Sequence, residues 1–322
     1  MTDKAVPDAL TQPESVTGIL WHVTGMVLFA SMDAVSKHLV VDLPVVEILW
    51  VRYVFFFLFG LALALRLEGW SAFKTKAPGL QIVRGLTLVA EIGLFTYAFR
   101  YLKLVDAHVM GAMTPLMVMA LAVPMLGERV GIRRWAAVSV GFLGVLIILR
   151  PGLAVIDPIQ IVPLIGAGCF ALYLVLTRMA ARQDSLGTST LYTGLVGFLV
   201  LSLAVPTDWQ SPTLDQWGWL LVASFLGIGA HVSVIKALSM SEASALQPFN
   251  HTMLVWATLI GFLAFGDLPD GFTIAGAGVI VLSGLYAWYR ERTRVKALGN
   301  AGILTDPVGL GVTGGRRHRI LE

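Results

Sequence analysis

The apolar runs of this chain are too long and too numerous for a fold that lives in water. Read between glycine, proline and charge punctuation, they predict helical spans over residues 18–40, 45–65, 80–101, 105–126, 134–149, 159–181, 186–205, 216–239, 243–265 and 271–289. A hydrocarbon layer about 30 Å thick takes about 20 helical residues to cross. Ten such spans use about 200 positions of the 322, which leaves short connections and little room for a soluble catalytic module. Only 13% of the residues are charged and the mean hydropathy is +0.79, whereas a soluble domain carries about 25% charge. The expected fold is therefore all-α and integral to the membrane, with a polar N-terminal tail over 1–17 and a flexible basic tail over 291–322.

The charges that remain predict orientation. Arg66, Lys74 and Lys76 follow the second span, Arg129, Arg133 and Arg134 the fourth, Arg182 the sixth, and Arg290, Arg292, Arg294 and Lys296 the tenth. The connections after the first, seventh and ninth spans carry acids only, although Arg100, Lys103 and Arg150 depart from the pattern. Cations stay on the cytoplasmic side, so both termini are expected there, in a bacterial-type inner membrane. A net charge of +3 without interleaved aromatic and basic residues gives no nucleic-acid surface; the partners expected are the lipid bilayer and a small molecule. The first run carries Asp33 and Lys37 and lacks a small-residue cleavage site, so it is expected to stay as a helix. The one cysteine, Cys169, excludes an intramolecular disulfide.

An offset of about 140 residues superimposes Gly25 on Gly166, Phe29 on Phe170, Ala30 on Ala171 and Lys37 on Arg178. Gly127-Glu128, closing the fourth span, meets Gly266-Asp267, closing the ninth. The chain thus reads as two five-helix repeats, 18–150 and 151–290. An odd number of helices makes the second copy enter from the opposite side, so the repeats are inverted about an axis in the membrane plane, the geometry of alternating access.

The stretch TPLMVMALAVPMLGERVGIRRWAAVSVGFLGVLIILRPG contains Pro115, Gly127, Glu128, Gly141 and Gly144, and LIGFLAFGDLPDGFTIAGAGVIVLSG is a looser second copy with Asp267 in place of glutamate. With these, residues 18–290 resemble the EamA type of the drug/metabolite transporter superfamily, ten-helix carriers built from two such repeats. The resemblance implies export of amino acids or similar small metabolites, no cofactor, and no invariant substrate ligand.

Candidate ligands are therefore read from chemistry. Spans five and ten have uncharged cores and small residues one turn apart, Ala137 with Gly141 and Gly271 with Ala275, as packing helices do. Buried charge is costly in lipid, so Asp33 and Lys37 in span one, Glu47 and Arg52 in span two, Arg84 and Glu91 in span three and Lys236 in span eight must pair or line a wet cavity. That cavity is expected among spans one, three, eight and nine. Asp33 and Lys37 share a helix face with His22 and are either mutual partners or a gate and substrate contact. Arg84 lies near the cytoplasmic end, as an anchor of topology does. The repeat offset pairs Glu91 with His231 near the centre of their spans, as substrate and proton ligands or as a buried structural pair. In span nine, Pro248 precedes Asn250 and His251 and frees a backbone carbonyl, while Trp256 lies deeper, as a packing residue or a substrate wall. His108 is a further titratable group.

Three classes of function compete. An intramembrane enzyme needs clustered metal ligands, a nucleophile with its base, or a phosphate-cradling loop, and the sequence has no H-E-x-x-H, G-x-S-x-G or P-loop; no catalytic or metal residue is assigned. A channel-type or non-transporting membrane protein is the third alternative to the carrier.

Overall fold

The computed structural model describes residues 16–127, 132–149, 158–240, 246 and 249–300, and among these every regular element is helical. In chain order the helices are α1 (Val16–Leu39), α2 (Val45–Glu68), α3 (Pro78–Phe99), α4 (Leu104–Gly111), α5 (Thr114–Leu126), α6 (Ile132–Leu149), α7 (Ile161–Ala180), α8 (Leu186–Ala204), α9 (Leu214–Met240), α10 (Thr252–Phe265) and α11 (Gly271–Asn300). Seven segments are long and apolar enough to cross a membrane: Val16–Leu39, Val45–Phe73, Pro78–Phe99, Leu104–Leu126, Pro158–Ala180, Leu186–Thr207 and Leu214–Val234. Ser139–Ile148, Thr252–Phe265 and Gly271–Tyr286 are shorter apolar helices.

Several boundaries differ from the expected ones for identifiable reasons. The fourth span is two helices, α4 and α5, interrupted at Ala112–Met113. Pro115 causes this: it sits in the first turn of α5, where its missing N–H costs nothing, and it disfavours a continuous ladder through the preceding residues. The described part of the ninth span yields α10 from Thr252 only, and Pro248 and Glu128 lie outside the described residues. Helix α11 runs on to Asn300, beyond the expected end near 289; residues 1–15 and 301–322 lie outside the described part.

The helices pack in matched partnerships. Helix α1 lies against α9 and α10, and α7 lies against α3, α4 and α5; α2 packs on α8, and α6 on α11. Glycines set the close approaches. A Cβ on Gly144 would lie 2.9 Å from the Gly276 carbonyl oxygen, and one on Gly276 would lie 2.6 Å from that of Gly144, so the backbones of α6 and α11 touch through this pair. Spans five and ten are thus packed on each other, but the expected small pair Gly271 and Ala275 faces outward, both residues being exposed. The period of the inward face falls on Gly276 instead. Gly127 (φ +69°) and Gly266 (φ +71°) both close their helices in the left-handed conformation, in which a side chain is strained.

Candidate functional site

At one end of the bundle the last turn of α1 is tied to two connections. Lys37 Nζ lies 2.5 Å from Asp267 Oδ2, donates to the Leu102 carbonyl at 3.1 Å, and stands 4.8 Å from the Phe265 ring centre. Lys103 donates to the Leu268 carbonyl at 2.6 Å, and Arg100 to that of Val41 at 3.1 Å. Asp33, expected to share Lys37, faces the opposite way along the chain: its Oδ2 is 3.3 Å from His108 Nε2. One helical turn suffices to separate the two, because α10–α11 presents Asp267 to Lys37 while α4 presents His108 to Asp33. This assigns Asp267 more than the role of a repeat motif. Because the Lys37–Asp267 pair is largely shielded from solvent, Lys37→Met or Asp267→Asn alone is expected to lower stability by about 1–3 kcal/mol. The exchange Lys37→Asp with Asp267→Lys is expected to recover at least half of that in thermal melts.

The opposite end is latched by carboxylates. Glu68 at the end of α2 accepts from the Gly187 amide at 3.0 Å, from Thr188 Oγ1 at 3.2 Å and from Ser185 Oγ at the start of α8. Asp184 accepts from Thr75 Oγ1 at 2.5 Å, Gln81 Nε2 at 2.8 Å and the Lys76 amide at 2.8 Å. Burial opposes ionisation of Asp184, but these hydrogen bonds outweigh it and hold the carboxyl below its usual range. Arg84, expected as an anchor of topology, is 2% exposed and donates to Gln81 Oε1, Thr193 Oγ1 and the Ser189 carbonyl.

Between the two ends lies a cavity lined by Met32, Arg52, Tyr53, Ser224 and His231 among others on α1, α2, α3 and α9. Helix α2 therefore takes the place expected for the ninth span, since Arg52 and Tyr53 point inward and α10 packs beside α1 and α4. Arg52 donates to Ser36 Oγ at 3.3 Å and to Met32 Sδ at 3.0 Å, and to no carboxylate among the described residues. It interacts electrostatically with Asp33, Glu91 and His231, and Asp33 with Glu91. The His231 ring sits edge-on to Phe29, with centroids 5.0 Å apart, and tilted against Phe56 at 5.1 Å. Tyr53 is 3% exposed and its hydroxyl has no hydrogen-bond partner among the described residues.

The predicted Glu91–His231 pair thus shares Arg52 as a common neighbour rather than touching directly. Arg52 was singled out as a buried charge but not placed among the candidate ligands; a guanidinium within an apolar span, three residues before Phe55–Phe57, was the available signal. The span-nine candidates lie apart from the cavity lining. Asn250 Oδ1 is 2.8 Å from His22 Nε2, His251 packs over Gly284 of α11, and the Trp256 indole N–H is buried without a partner among the described residues. No group of acids, histidines and cysteines arranged for a metal occurs among the described residues.

Comparison with known proteins gives this geometry a family. The EamA-like transporter family pattern matches residues 16–150 and again 159–288. An S-adenosylmethionine uptake transporter of Rickettsia bellii is 28% identical over 85% of this chain and 94% of its own. A riboflavin transporter of Vibrio cholerae is 30% identical over 86% of this chain and 95% of its own. A pseudopaline exporter of Pseudomonas aeruginosa is 27% identical over 83% and 94%. A solved crystal structure superposes with a TM-score of 0.59 at 17% identity, over 86% of this chain and 98% of that one, a likeness of fold. The relatives are transporters and not enzymes, and this multi-pass membrane chain belongs with them to the EamA-like transporter family of the drug/metabolite transporter superfamily.

Proposed function

We propose that the chain is an alternating-access carrier of ten spans in two inverted repeats, 18–150 and 151–290, moving amino acids or similar small zwitterionic metabolites outward across the inner membrane. The observation that carries this reading is the central cavity lined by Arg52, Tyr53 and His231, with the acids Asp33 and Glu91 in electrostatic reach of Arg52, held between a latch at each end. Carboxylates suit a substrate ammonium, a guanidinium suits its carboxylate, and Phe29, Phe56 and Tyr53 offer an apolar wall. Each latch joins one repeat to the other, Lys37 to Asp267 and Glu68 to the start of α8, so opening either end requires the repeats to move apart there.

Three features support the inverted repeat. The family pattern matches twice in succession; Gly127 and Gly266 adopt the same cap; and the partnerships of α1 with α9 and of α7 with α3 exchange under the repeat offset, while α2 with α8 and α6 with α11 map onto themselves. The remaining candidates Lys37, Asn250, His251 and Trp256 belong to gating or to the approach rather than to the central cluster. The relatives include an uptake carrier and an exporter, and a carrier is reversible, so export here rests on the resemblance.

Counterflow in proteoliposomes tests the carrier. A panel of amino acids, S-adenosylmethionine and riboflavin is expected to contain at least one compound whose labelled form accumulates against unlabelled compound trapped inside; a channel leaves no such overshoot and an enzyme returns a changed compound. Overproduction is expected to deplete the cellular pool of that substrate, and accumulation instead reverses the assigned direction. For topology, cysteines introduced singly at Gln210 and Lys74 in a Cys169→Ala background are expected to differ. An impermeant thiol reagent outside intact spheroplasts labels the first and spares the second, as the distribution of cations requires. Equal labelling of both ends the assignment of two cytoplasmic termini.

A further inference from the structure

We propose that the paired ends of α6 and α11 form a binding site for anionic phospholipid: phosphates lodge among Arg133, Arg134, Arg290, Arg292, Arg294 and Lys296, and the acyl chains lie along the apolar outer face of the two helices.

The packing of the pair creates the juxtaposition. A Cβ on Gly141 would lie 2.9 Å from Ser283 Oγ, one on Gly144 2.8 Å from Ile280 Cγ1, and one on Gly276 2.4 Å from Ile148 Cγ1. Residue numbers fall along α11 as they rise along α6, so the helices are antiparallel and the far turns of α11 lie at the end where α6 begins. About two helical turns beyond the Gly141–Ser283 contact, Arg134 on α6 comes level with Arg290 on α11. Positions more than 150 residues apart in the chain thereby bring six cations to one end of one helix pair, and Glu291 is the one acid within 132–149 and 289–300. Glu128 and Arg129, in the connection leading into α6, cancel each other in charge.

The same end carries the marks of a lipid boundary. Trp135 on α6 and Tyr286 and Tyr289 on α11 are exposed just inside the cations, at the level where aromatic side chains collect at the edge of a bilayer. Further in, Phe142 and Leu143 of α6 and Leu282 of α11 expose apolar surface on which acyl chains can lie. Helix α11 does not stop at this boundary. It continues to Asn300, about 15 Å past Arg290 at the rise of an α-helix. Its four cations recur at every second residue, so at about 100° per residue they fall on two opposite sides of the helix. A helix lying flat on a membrane gathers its cations in one stripe; cations on opposite sides suit a helix that stands among the headgroups and meets phosphates around it.

Charge completes the argument. Like charges gathered within about one Debye length, ~8 Å at physiological salt, repel one another, and the negative headgroups of a cytoplasmic leaflet, where this end is expected to lie, offset that repulsion. Orientation of the chain requires no such gathering, since the bias of cations acts loop by loop. Helices α6 and α11 close the two successive family matches, 16–150 and 159–288, so a headgroup bridging their ends fastens the halves of the molecule together there.

Thermal unfolding of the full-length protein in uncharged detergent tests this, with phosphatidylglycerol or phosphatidylcholine of the same acyl chains titrated in. Phosphatidylglycerol is expected to raise the melting temperature and phosphatidylcholine to leave it in place, with the difference shrinking as salt is added. Equal responses to the two lipids, or a difference insensitive to salt, overturn the proposal and leave the cations to orientation alone; this comparison needs no variant. Each cation removed is expected to weaken apparent binding about fivefold, so Arg290→Gln, Arg292→Gln and Arg294→Gln together lose about 100-fold, whereas Arg290→Lys, Arg292→Lys and Arg294→Lys retain the preference. Arg133→Gln with Arg134→Gln is expected to lose about 25-fold, and unchanged affinity there overturns a site shared by both helices. Arg316→Gln, Arg317→Gln and Arg319→Gln are expected to change nothing; loss of the preference in that variant moves the lipid to the tail and overturns the site. Glycerol phosphate separates a lipid from a soluble phosphate compound, and protection by it at the concentration at which phosphatidylglycerol protects overturns the lipid as ligand. None of these readings uses a substrate, so they stand or fall separately from the carrier proposed above.

Discussion

Glu91→Gln is expected to reduce substrate movement by about 30- to 150-fold, the equivalent of about 2–3 kcal/mol for a charge-assisted hydrogen bond lost from a site away from bulk water. The substitution preserves shape and hydrogen-bonding capacity and removes only the charge. Its neighbours are consistent with a small effect on folding: Glu91 receives no hydrogen bond among the described residues, and Arg52, its cationic neighbour, keeps its bonds to Ser36 and Met32. Thermal midpoint and membrane level are therefore expected to stay near those of the wild type while counterflow of any panel substrate collapses. Normal transport by the variant removes Glu91 from the site, and loss of folded protein reassigns it to the structure. Arg52→Gln supplies the complementary result. If the guanidinium receives a substrate carboxylate, the variant loses zwitterions by a similar factor and discriminates less against amines without a carboxylate.

The parts of this architecture that were legible in the sequence are those set by one-dimensional pattern. Apolar length located the helices, since lipid imposes the same requirement on every residue of a span, and the Gly127 and Gly266 positions marked the two helix ends because only glycine takes the left-handed cap readily. Long-range pairing is a different problem. Asp33 and Lys37 are natural partners one turn apart, yet each faces a residue more than seventy positions away, His108 and Asp267, a choice fixed by which helix ends meet. The same limit hid the cavity wall. Arg52 was visible as a charge inside an apolar run, but its place at the centre follows from how α2 is seated between α8 and α9. Small residues misled in span ten for a related reason: Gly271, Ala275 and Gly276 are equally suited to close contact, and only the rotation of α11 selects Gly276.

Arg84 carries the other large effect expected, and it concerns stability. Its position near the N-terminal end of α3, expected on the cytoplasmic side, fits a topological anchor, whose value lies in its charge alone. In the fold it is a buried connector. Its guanidinium donates from Nε and Nη2 to Gln81 Oε1 at 3.1 and 2.8 Å, from Nη2 to Thr193 Oγ1 at 2.6 Å and to the Ser189 carbonyl, and from Nη1 to Thr177 Oγ1 at 3.4 Å, while lying 5.6 Å from the Tyr173 ring centre. It thereby fastens α3 to both α7 and α8, and Gln81 passes the connection on to Asp184. Arg84→Met leaves buried acceptors without donors, at about 1–3 kcal/mol for each one unsatisfied, so a loss of about 2–4 kcal/mol in stability is expected. Arg84→Lys separates the two roles. An ammonium on a flexible stem retains the charge but cannot reach acceptors spread across a planar fork, so the lysine variant is expected to keep the orientation of the chain in the labelling assay and still melt at a temperature well below the wild type. Wild-type stability in Arg84→Lys returns the residue to the role of an anchor.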